Sequence, residues 1–254
     1  MISKNQIKYI QSLHLKKNRD SQELFIVEGI KSVSEFIQDD AVRLKEVFAT
    51  TAYLQQQATQ LEKRNIPFTE ITAEELKKIS LQSTPNQVLA IVHQHHYVLN
   101  KELLTHGLTL FLDDIRDPGN LGTIIRIADW FGIKQIICSQ NTTELYNPKT
   151  LQASMGAALR VNTVYMDFNQ LLPFIGGVPI YGAVLTGENI YTSSLKKGII
   201  IIGNEANGIS EEIMRYITQP ITIPAAQHNG SESLNAANAC AIICAEFHRQ
   251  LNYK

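Results

Sequence analysis

The sequence predicts an α/β fold with two domains, the second of which contains a mostly parallel sheet. At 254 residues the chain exceeds the usual size of a single small domain. Short apolar runs rich in β-branched residues also alternate with helical segments along most of it. Because strands that alternate with helices form parallel sheets through helical crossovers, we expect this arrangement in the C-terminal half.

Composition is typical of a globular protein, with 44% hydrophobic and 19% charged residues. The longest apolar runs, such as Gly198–Ile202, are far too short to cross a bilayer. Residues 1–5 lack the apolar segment of a secretory signal. We therefore expect a cytoplasmic protein without a membrane segment.

The first element is predicted to be an amphipathic helix, since Ile7, Ile10 and Leu13 recur every three residues. The net charge is only −1, yet every charged side chain before Asp20 is basic. A local basic surface suits contact with RNA phosphates, and a solvated helix face is the alternative. The candidate RNA-binding residues here are Lys4, Lys8, Lys16, Lys17 and Arg19.

Residues 23–93 predict a small α/β domain. Two helices are expected, over 29–38 and 72–79, and Thr72 with Glu75 three residues later forms a capping-box pattern for the second. A polar, irregular segment follows, so we place a linker at 96–107, between domains of 1–95 and 108–254. The predicted strands are 24–27, 44–48, 66–68 and 88–92.

The second domain continues the alternation. A turn at 117–120 leads into a helix that ends at Trp130, and a final helix spans about 233–251. The strands are predicted at 108–112, 135–138, 161–165, 180–184, 199–202 and 221–223, with further helices near 148–158, 169–175 and 210–217.

Cysteines and histidines give little support for a metal site. The three cysteines are Cys138, Cys240 and Cys244. We interpret them as core residues, because no further ligand lies at zinc-site spacing. His93, His95 and His96 are interpreted as a solvated segment, since no carboxylate or cysteine is close enough in sequence to complete a site. We predict no metal.

Three motifs contain the candidate chemistry: Asn-Leu-Gly-Thr-Ile-Ile-Arg at 120–126, Gly-Asn-Glu-Ala-Asn-Gly at 203–208, and Ile-Pro at 223–224 leading to Ser-Leu-Asn at 233–235. Each combines glycine or proline with a polar residue and adjoins an apolar run. Sites of α/β proteins lie at such strand ends.

In this order the motifs resemble those of the SpoU (TrmH) branch of the SPOUT RNA methyltransferases, over essentially the whole chain. Residues 16–19 and Phe-Ile-Val-Glu-Gly at 25–29 resemble the substrate-binding domain of that family. The resemblance implies S-adenosylmethionine-dependent methylation of a ribose 2′-hydroxyl in ribosomal or transfer RNA by a homodimer. It also implies a trefoil knot in the C-terminal domain, which the rule against threaded chains would not have suggested.

By resemblance, Arg126 is the principal catalytic residue. Family proposals let this arginine activate the hydroxyl with help from an RNA phosphate. A guanidinium scarcely deprotonates, however, so we favour Arg126 as a phosphate clamp that stabilises developing oxyanion charge. The alternative is a surface ion pair with Asp129, three residues later.

The resemblance assigns further catalytic roles to Asn120, Glu205, Ser233 and Asn235. Asn120 would position the arginine or the ribose, and Glu205 would orient the helix and loop or pair with a cation. A purely structural Glu205 is the alternative. Ser233 either takes part in catalysis or caps the last helix.

Three loops are implied to hold the cofactor. Glycine allows close approach of the main chain, and apolar side chains suit a purine, although ordinary turns after strands would look similar. The segment 225–232 is longer than is usual, and its His228 is either a proton acceptor or an exposed loop residue. The implied cofactor-binding residues are Leu185, Thr186, Gly187, Gly203, Asn204, Gly208, Ile223, Pro224 and Leu234.

Two other functions are weighed against the methyltransferase. A catalytically silent RNA-binding or ribosome-assembly factor on the same fold would be favoured by loss of Arg126 or Asn120, and both are present. A nucleotide-dependent dehydrogenase predicts Gly-x-Gly-x-x-Gly after a first strand, and the sequence has no such motif.

Overall fold

The computed structural model describes residues 2–226 and 233–252, and the chain divides into two compact units. The first unit comprises Met1–His96 and Tyr146–Gly156, and the second comprises Tyr97–Leu145 and Ala157–Lys254. Across the described ranges, none of the helices has the length and apolar character needed to cross a membrane.

The first unit contains a four-stranded sheet in the order β1-β4-β2-β3. Its edge strand β1 pairs antiparallel with β4, which pairs antiparallel with β2, whereas β2 and β3 are parallel. All four predicted strands are confirmed, although β3 begins two residues later than expected. The strands are β1 (Leu24–Glu28), β2 (Leu44–Ala49), β3 (Phe68–Glu70) and β4 (Val88–His93).

Helices cover this sheet, and most of them follow the sequence pattern. The capping box of α5 is confirmed, because the Thr72 hydroxyl accepts from the Glu75 amide at 3.2 Å and the Glu75 carboxylate accepts from the Thr72 amide at 3.0 Å. The helices of the unit are α1 (Lys4–Ser12), α2 (Lys16–Gln22), α3 (Ile30–Gln38), α4 (Thr51–Lys63), α5 (Ala73–Ile79) and, from the second segment, α8 (Pro148–Ser154).

The N-terminal helix α1 is amphipathic as predicted. Ile10 and Leu13 are fully buried in a cluster with Leu76 and Ile79 of α5, and Ile7 packs against its edge. This packing places the opposite face of α1 in solvent. The apolar stripe therefore stabilises the unit and leaves Lys4 and Lys8 exposed.

The second unit contains a six-stranded sheet in the order β10-β8-β9-β5-β6-β7. Every pairing in it is parallel, which confirms the mostly parallel sheet expected from the sequence. The strands are β5 (Leu108–Leu112), β6 (Gln135–Cys138), β7 (Asn162–Tyr165), β8 (Ile180–Asn189), β9 (Gly198–Ile202) and β10 (Gln219–Thr222).

Helices of the second unit include one that the sequence did not predict, because α6 lies inside the segment expected to be irregular. The Asn100 side chain caps it by accepting from the Glu102 amide at 3.0 Å. The helices are α6 (Lys101–His106), α7 (Pro118–Trp130), α9 (Phe168–Leu171), α10 (Glu211–Met214) and α11 (Ala236–Asn252).

The three cysteines are free and buried, as expected, and burial raises the pKa of the Cys138 thiol.

Strand β8 is longer than the predicted 180–184 and irregular. Gly182 pairs with Pro220, and the next pair along β10 is Glu188 with Ile221. Residues 183–187 therefore leave the ladder, and this excursion contains the first of the three loops implied to bind the cofactor.

Candidate functional site

The candidate site lies in the second unit, at the carboxyl ends of three neighbouring strands. In the sheet order β8, β9 and β5 are adjacent and parallel, so their carboxyl ends share one edge. The excursion of β8, the 203–208 motif after β9 and the 120–126 motif after β5 all begin there. Ligands of open α/β sheets bind at this kind of edge.

Helix α7 starts with the first motif, and its N-terminus positions Asn120. The Asp117 carboxylate caps the helix by accepting from the Asn120 amide at 2.8 Å, and Pro118 occupies the first turn, where its missing N–H costs nothing. Asn120 is thereby held in the first helical turn. Arg126 lies further along the same helix with an exposed side chain.

A chain of two hydrogen bonds joins the three motifs. Asn120 donates from Nδ2 to Glu205 Oε1 at 2.7 Å, and Asn235 donates from Nδ2 to Asn120 Oδ1 at 3.0 Å. These partners are 85 and 115 positions apart in sequence. The structure therefore brings together three of the five residues that the resemblance implied to be catalytic.

The last helix starts later than predicted. Asn235 is its N-cap, because its Oδ1 accepts from the amides of Ala237 at 2.9 Å and Asn238 at 3.3 Å. The expectation that Ser233 begins this helix is therefore corrected. Ser233 lies two residues earlier and is exposed, and its part in catalysis stays a prediction.

Asp129, the alternative partner considered for Arg126, is engaged by a residue that the sequence did not suggest. Arg160 donates from Nε to Asp129 Oδ2 at 2.9 Å, and its Nη2 forms an ion pair with the same oxygen at 2.8 Å. Both contacts are to the same carboxylate oxygen, and a hydrogen bond between ionised groups is stronger than a neutral one. The two residues of this ion pair are 31 positions apart in sequence, so the spacing of neighbouring residues could not have predicted it.

The 203–208 motif folds into a compact loop of closely packed main chain. Asn204 and Gly208 exchange backbone hydrogen bonds of 2.9 and 3.0 Å. A Cβ on residue 203 would lie 2.3 Å from the carbonyl carbon of Gly208, so only glycine fits there, and Gly208 itself has φ +68°. The motif glycines are therefore required by geometry, and the loop presents main chain to its surroundings.

Two acidic residues after β5 hold this loop. The buried Asp113 carboxylate accepts from the Ser210 amide at 2.7 Å, and the Asp114 carbonyl accepts from Asn204 Nδ2 at 2.7 Å. Sequence reasoning did not assign Asp113 a role. The signal in the sequence was an acidic residue directly after an apolar strand, because the sites of α/β proteins lie at the carboxyl ends of strands.

The other two loops have features that suit the expected cofactor. At residue 187 a Cβ would lie 2.8 Å from the backbone of Ile221, which requires glycine, and Thr222 Oγ1 donates to the Leu185 carbonyl at 3.1 Å. The side chains of Leu185 and Leu234 are 72% and 50% exposed. Exposed apolar groups beside glycine-rich main chain fit a ligand with a purine and several polar groups, as S-adenosylmethionine has.

The basic residues of the first unit divide into exposed and buried. Lys4, Lys8, Lys16 and Lys17 are exposed, and Lys16 pairs with Asp20. Arg19 has only 2% of its surface exposed and donates from Nη1 to the carbonyls of residues 13 and 14 at 2.9 and 2.8 Å. We correct its assignment on this ground, because a buried arginine that bonds main-chain carbonyls closes a turn and offers no surface to phosphate.

Two further expectations concern His228 and metal binding. His228 falls outside the described residues, so its place in the lengthened loop is not described. Within 2–226 and 233–252, no cluster of three or more histidine, cysteine, aspartate or glutamate side chains is arranged to hold a metal ion.

Comparison with known proteins adds independent findings. Residues 107–245 match the family model of the SpoU rRNA methylases, and residues 4–90 match the MRM3-like substrate-binding domain. The chain is 27% identical over 246 residues to the 23S rRNA (guanosine(2553)-2′-O)-methyltransferase RlmP of Bacillus subtilis, and the match covers 95% of each chain.

Solved structures resemble the whole chain. One is a TrmH-family protein from Porphyromonas gingivalis, with 37% identity and a TM-score of 0.86 over 98% of this chain and 99% of that one. Another is the AdoMet-bound rRNA methyltransferase from Sinorhizobium meliloti, with 26% identity and a TM-score of 0.87 over 100% and 98% of the two chains. Both likenesses extend over the first and second units.

Proposed function

Because the chain belongs to the SpoU rRNA methylase family, we propose that it transfers a methyl group from S-adenosylmethionine to a ribose 2′-hydroxyl of ribosomal or transfer RNA. Ribosomal RNA is the favoured substrate, since a relative that matches 95% of this chain is named for 23S rRNA. The observation that carries the proposal is the hydrogen-bonded chain from Asn235 through Asn120 to Glu205, with Arg126 present on the same helix as Asn120.

Asn120 has the geometry of a positioning group for the ribose. Its amide orientation is set at both ends, because Oδ1 accepts from Asn235 and Nδ2 donates to Glu205. A side-chain amide has two N–H donors and two lone pairs on its oxygen. One donor and one lone pair therefore stay available, in a fixed orientation, for the 2′-hydroxyl.

Glu205 and Asn235 support Asn120 in this proposal. Glu205 accepts from the amide and fixes its rotation, while Asn235 both donates to it and caps the 17-residue helix α11. The N-terminus of a helix has partial positive charge, which favours negative charge that develops nearby. The first turn of α11 and the side chain of its cap thus suit a hydroxyl that loses its proton.

Arg126 is proposed to bind an RNA phosphate and to stabilise charge on the attacking oxygen. A guanidinium keeps its proton in proteins, so it acts through charge and hydrogen bonds. Stabilisation of developing charge in this way commonly contributes a large share of catalysis. An arginine that orients the phosphate also brings the attached ribose into line for transfer.

S-Adenosylmethionine, when bound, supplies an electrophilic methyl group on sulfur. The excursion of β8 and the segments after β9 and β10 would hold it, with main chain at the glycines and apolar contacts from leucine, isoleucine and proline. The residues proposed to hold the cofactor are Leu185, Thr186, Gly187, Gly203, Asn204, Gly208, Ile223, Pro224 and Leu234.

Assembly and location follow from the family resemblance as further parts of the proposal. We propose a cytoplasmic homodimer that pairs through α7 and α11, with RNA bound by residues 1–95 through Lys4, Lys8, Lys16 and Lys17. Trp130 supports this pairing, because it lies at the end of α7 with 83% of its surface exposed. Tryptophan is enriched at protein–protein interfaces relative to the rest of the surface. The trefoil knot also stays a prediction.

The test is to incubate the protein with labelled S-adenosylmethionine and unmodified rRNA and tRNA, and to map the label to a nucleotide. We expect label at a ribose 2′-oxygen, strongly reduced in Arg126→Ala and retained in a control, Arg215→Ala, which removes an exposed arginine at the end of α10. If no RNA is labelled and calorimetry detects no cofactor binding, the methyltransferase proposal is refuted and the RNA-binding factor becomes the better account.

A further inference from the structure

The first unit contains a pocket that the proposed mechanism does not use. Its volume is about 240 Å³, and it lies between the end of β1, the start of α3, the segment after α5 and the helix α8. Apolar side chains from β1 and α8 form part of its wall. The groups that give it chemical character are Glu28, Ser32, Leu81, Gln82, Lys149 and Gln152.

Glu28 makes one wall of the pocket rigid. Its Oε1 accepts from the Leu81 amide at 3.1 Å, and its other carboxylate oxygen accepts from the Ser80 hydroxyl. The Ser80 hydroxyl in turn accepts from the Gln82 amide at 3.0 Å. Because a carboxylate oxygen can accept more than one hydrogen bond, Glu28 retains acceptor capacity on the pocket side.

The remaining polar groups of the pocket can form hydrogen bonds with the edge of a nucleobase. Gln82 and Gln152 each offer both amide donors and an acceptor, and Ser32 adds a hydroxyl. Lys149 is exposed at the pocket and has a positive charge. An ammonium group suits a phosphate, whereas the amides and the carboxylate suit the donors and acceptors of a heterocycle.

The apolar groups and the size restrict the ligand further. Leu81 is 53% exposed although it belongs to the pocket lining, so it offers an uncovered apolar surface for a ring to pack on. Pockets for drug-sized ligands usually have roughly 300–1,000 Å³. A volume of about 240 Å³ therefore suits a single ring system better than a larger ligand.

We propose that this pocket binds one unstacked base of the RNA substrate, with Lys149 at the phosphate of the same nucleotide. The inference rests on the proposed function, because it takes RNA as the substrate. The first unit would then recognise a nucleotide of the RNA in this pocket, in addition to the phosphates that its exposed lysines contact. Recognition of RNA commonly depends on such unstacked bases, and stacking and edge contacts both contribute.

The first experiment compares two double variants for binding to transcribed 23S rRNA. The pocket variant is Gln152→Ala with Lys149→Ala, and the matched control is Gln55→Ala with Lys63→Ala, which removes an exposed glutamine and an exposed lysine from α4 in the same unit. We expect the pocket variant to weaken RNA binding about tenfold or more relative to the control. Its affinity for S-adenosylmethionine should be unchanged.

A second measurement locates the base directly. RNA that contains 4-thiouridine is cross-linked to the protein, and we expect cross-linked peptides from 80–82 and 148–152. Equal RNA affinity of the two double variants, together with cross-links confined to other segments, would overturn the pocket proposal. The enzyme proposal would still stand in that case if the wild type methylates RNA and binds the cofactor. Conversely, if the wild type does not methylate RNA, the affinity difference and the cross-links still decide whether the pocket binds a base.

Discussion

The buried carboxylate of Asp113 offers a quantitative test of how the cofactor loop is held. Asp113 has 6% of its surface exposed, and its Oδ2 lies 2.7 Å from the Ser210 amide that it accepts from. Asp113→Leu keeps the approximate size but leaves this N–H without its acceptor. Hydrogen bonds to charged groups contribute roughly 1.5–3 kcal/mol to stability, so the loop should lose about that much.

This loss of loop stability lowers the affinity for the cofactor if the loop opens without unfolding of the rest of the unit. For a ligand that binds only the closed loop, the apparent dissociation constant equals the intrinsic constant divided by the fraction of molecules with the loop closed. A loss of 1.4 kcal/mol that falls entirely on this fraction raises the constant about tenfold. We therefore expect the dissociation constant for S-adenosylmethionine to rise by roughly tenfold to a hundredfold in Asp113→Leu. Asp113→Asn retains an oxygen acceptor and should restore most of the affinity.

The assay is titration calorimetry with S-adenosylmethionine, accompanied by thermal unfolding. Asn100→Ala is the matched control, because it removes another side-chain acceptor of a backbone N–H, at the start of α6. This control should lower the melting temperature without changing cofactor affinity. If folded Asp113→Leu binds the cofactor as tightly as wild type, the reasoning is wrong and Asp113 contributes only to stability.

Three further predictions follow from single positions. Gly203→Ala should abolish measurable cofactor binding in calorimetry, because its Cβ would lie 2.3–2.5 Å from main-chain atoms of Gly208 and Ile209. Burial, and secondarily Arg19, lower the pKa of His14 below 6.5, while a hydrogen bond to a backbone carbonyl opposes them. The stabilisation of the folded state by neutral His14 is therefore complete above pH 6.5 and is lost as pH falls through the lowered pKa. In urea unfolding, the free energy of unfolding of the wild type should exceed that of His14→Gln by an amount that decreases as the pH is lowered. Trp130 is the only tryptophan, so its emission should shift to shorter wavelength as protein concentration drives the proposed dimerisation.

Each of these has a distinct contrary outcome. Gly208→Ala serves as the comparison for Gly203→Ala, since residue 208 has a positive φ but open space around its Cβ position, and equal cofactor affinity in both variants would contradict the steric account. A pH-independent difference between wild type and His14→Gln would contradict the assignment of the acid dependence to this residue. An emission maximum that does not change with concentration, while sedimentation shows a dimer, would place the interface away from Trp130.

Sequence patterns located the strands well because the core strands are apolar on both sides. All ten predicted strands are present, and 135–138 and 108–112 have the predicted bounds. The missed helices are those with little apolar pattern. In α4 only Tyr53, Leu54 and Leu61 are buried, and in α6 only one residue is. A helix that packs through so few side chains has no clear 3.6-residue period for sequence reasoning to detect.

The candidate site was predictable in composition and not in geometry. The close approach of Gly203 to Gly208 lies within one loop, whereas the approach of Gly187 to the backbone of Ile221 depends on the pairing of β8 with β10, which spacing along the sequence does not reveal. Arg19 illustrates the opposite outcome, because a basic residue among lysines looks like a phosphate ligand until its burial is known. Similarly, Ser233 and Asn235 are both good capping residues, and only the helix start at Ala236 distinguishes them.

The arrangement of the sheet explains why motifs so far apart form one site. Strands β9 and β5 are neighbours although 85 positions separate Asn120 from Glu205, and the parallel order places both motifs after the carboxyl ends of these strands. Asn235 joins them from the N-terminus of α11, where the side-chain amide divides its hydrogen bonds between Asn120 and the helix. The Asn120 amide, bonded to both Glu205 and Asn235, thus connects three chain segments. A substitution at Glu205 or Asn235 should therefore change the orientation of Asn120 as well as remove its own side chain, so the effects on activity of substitutions at the three positions should not be additive.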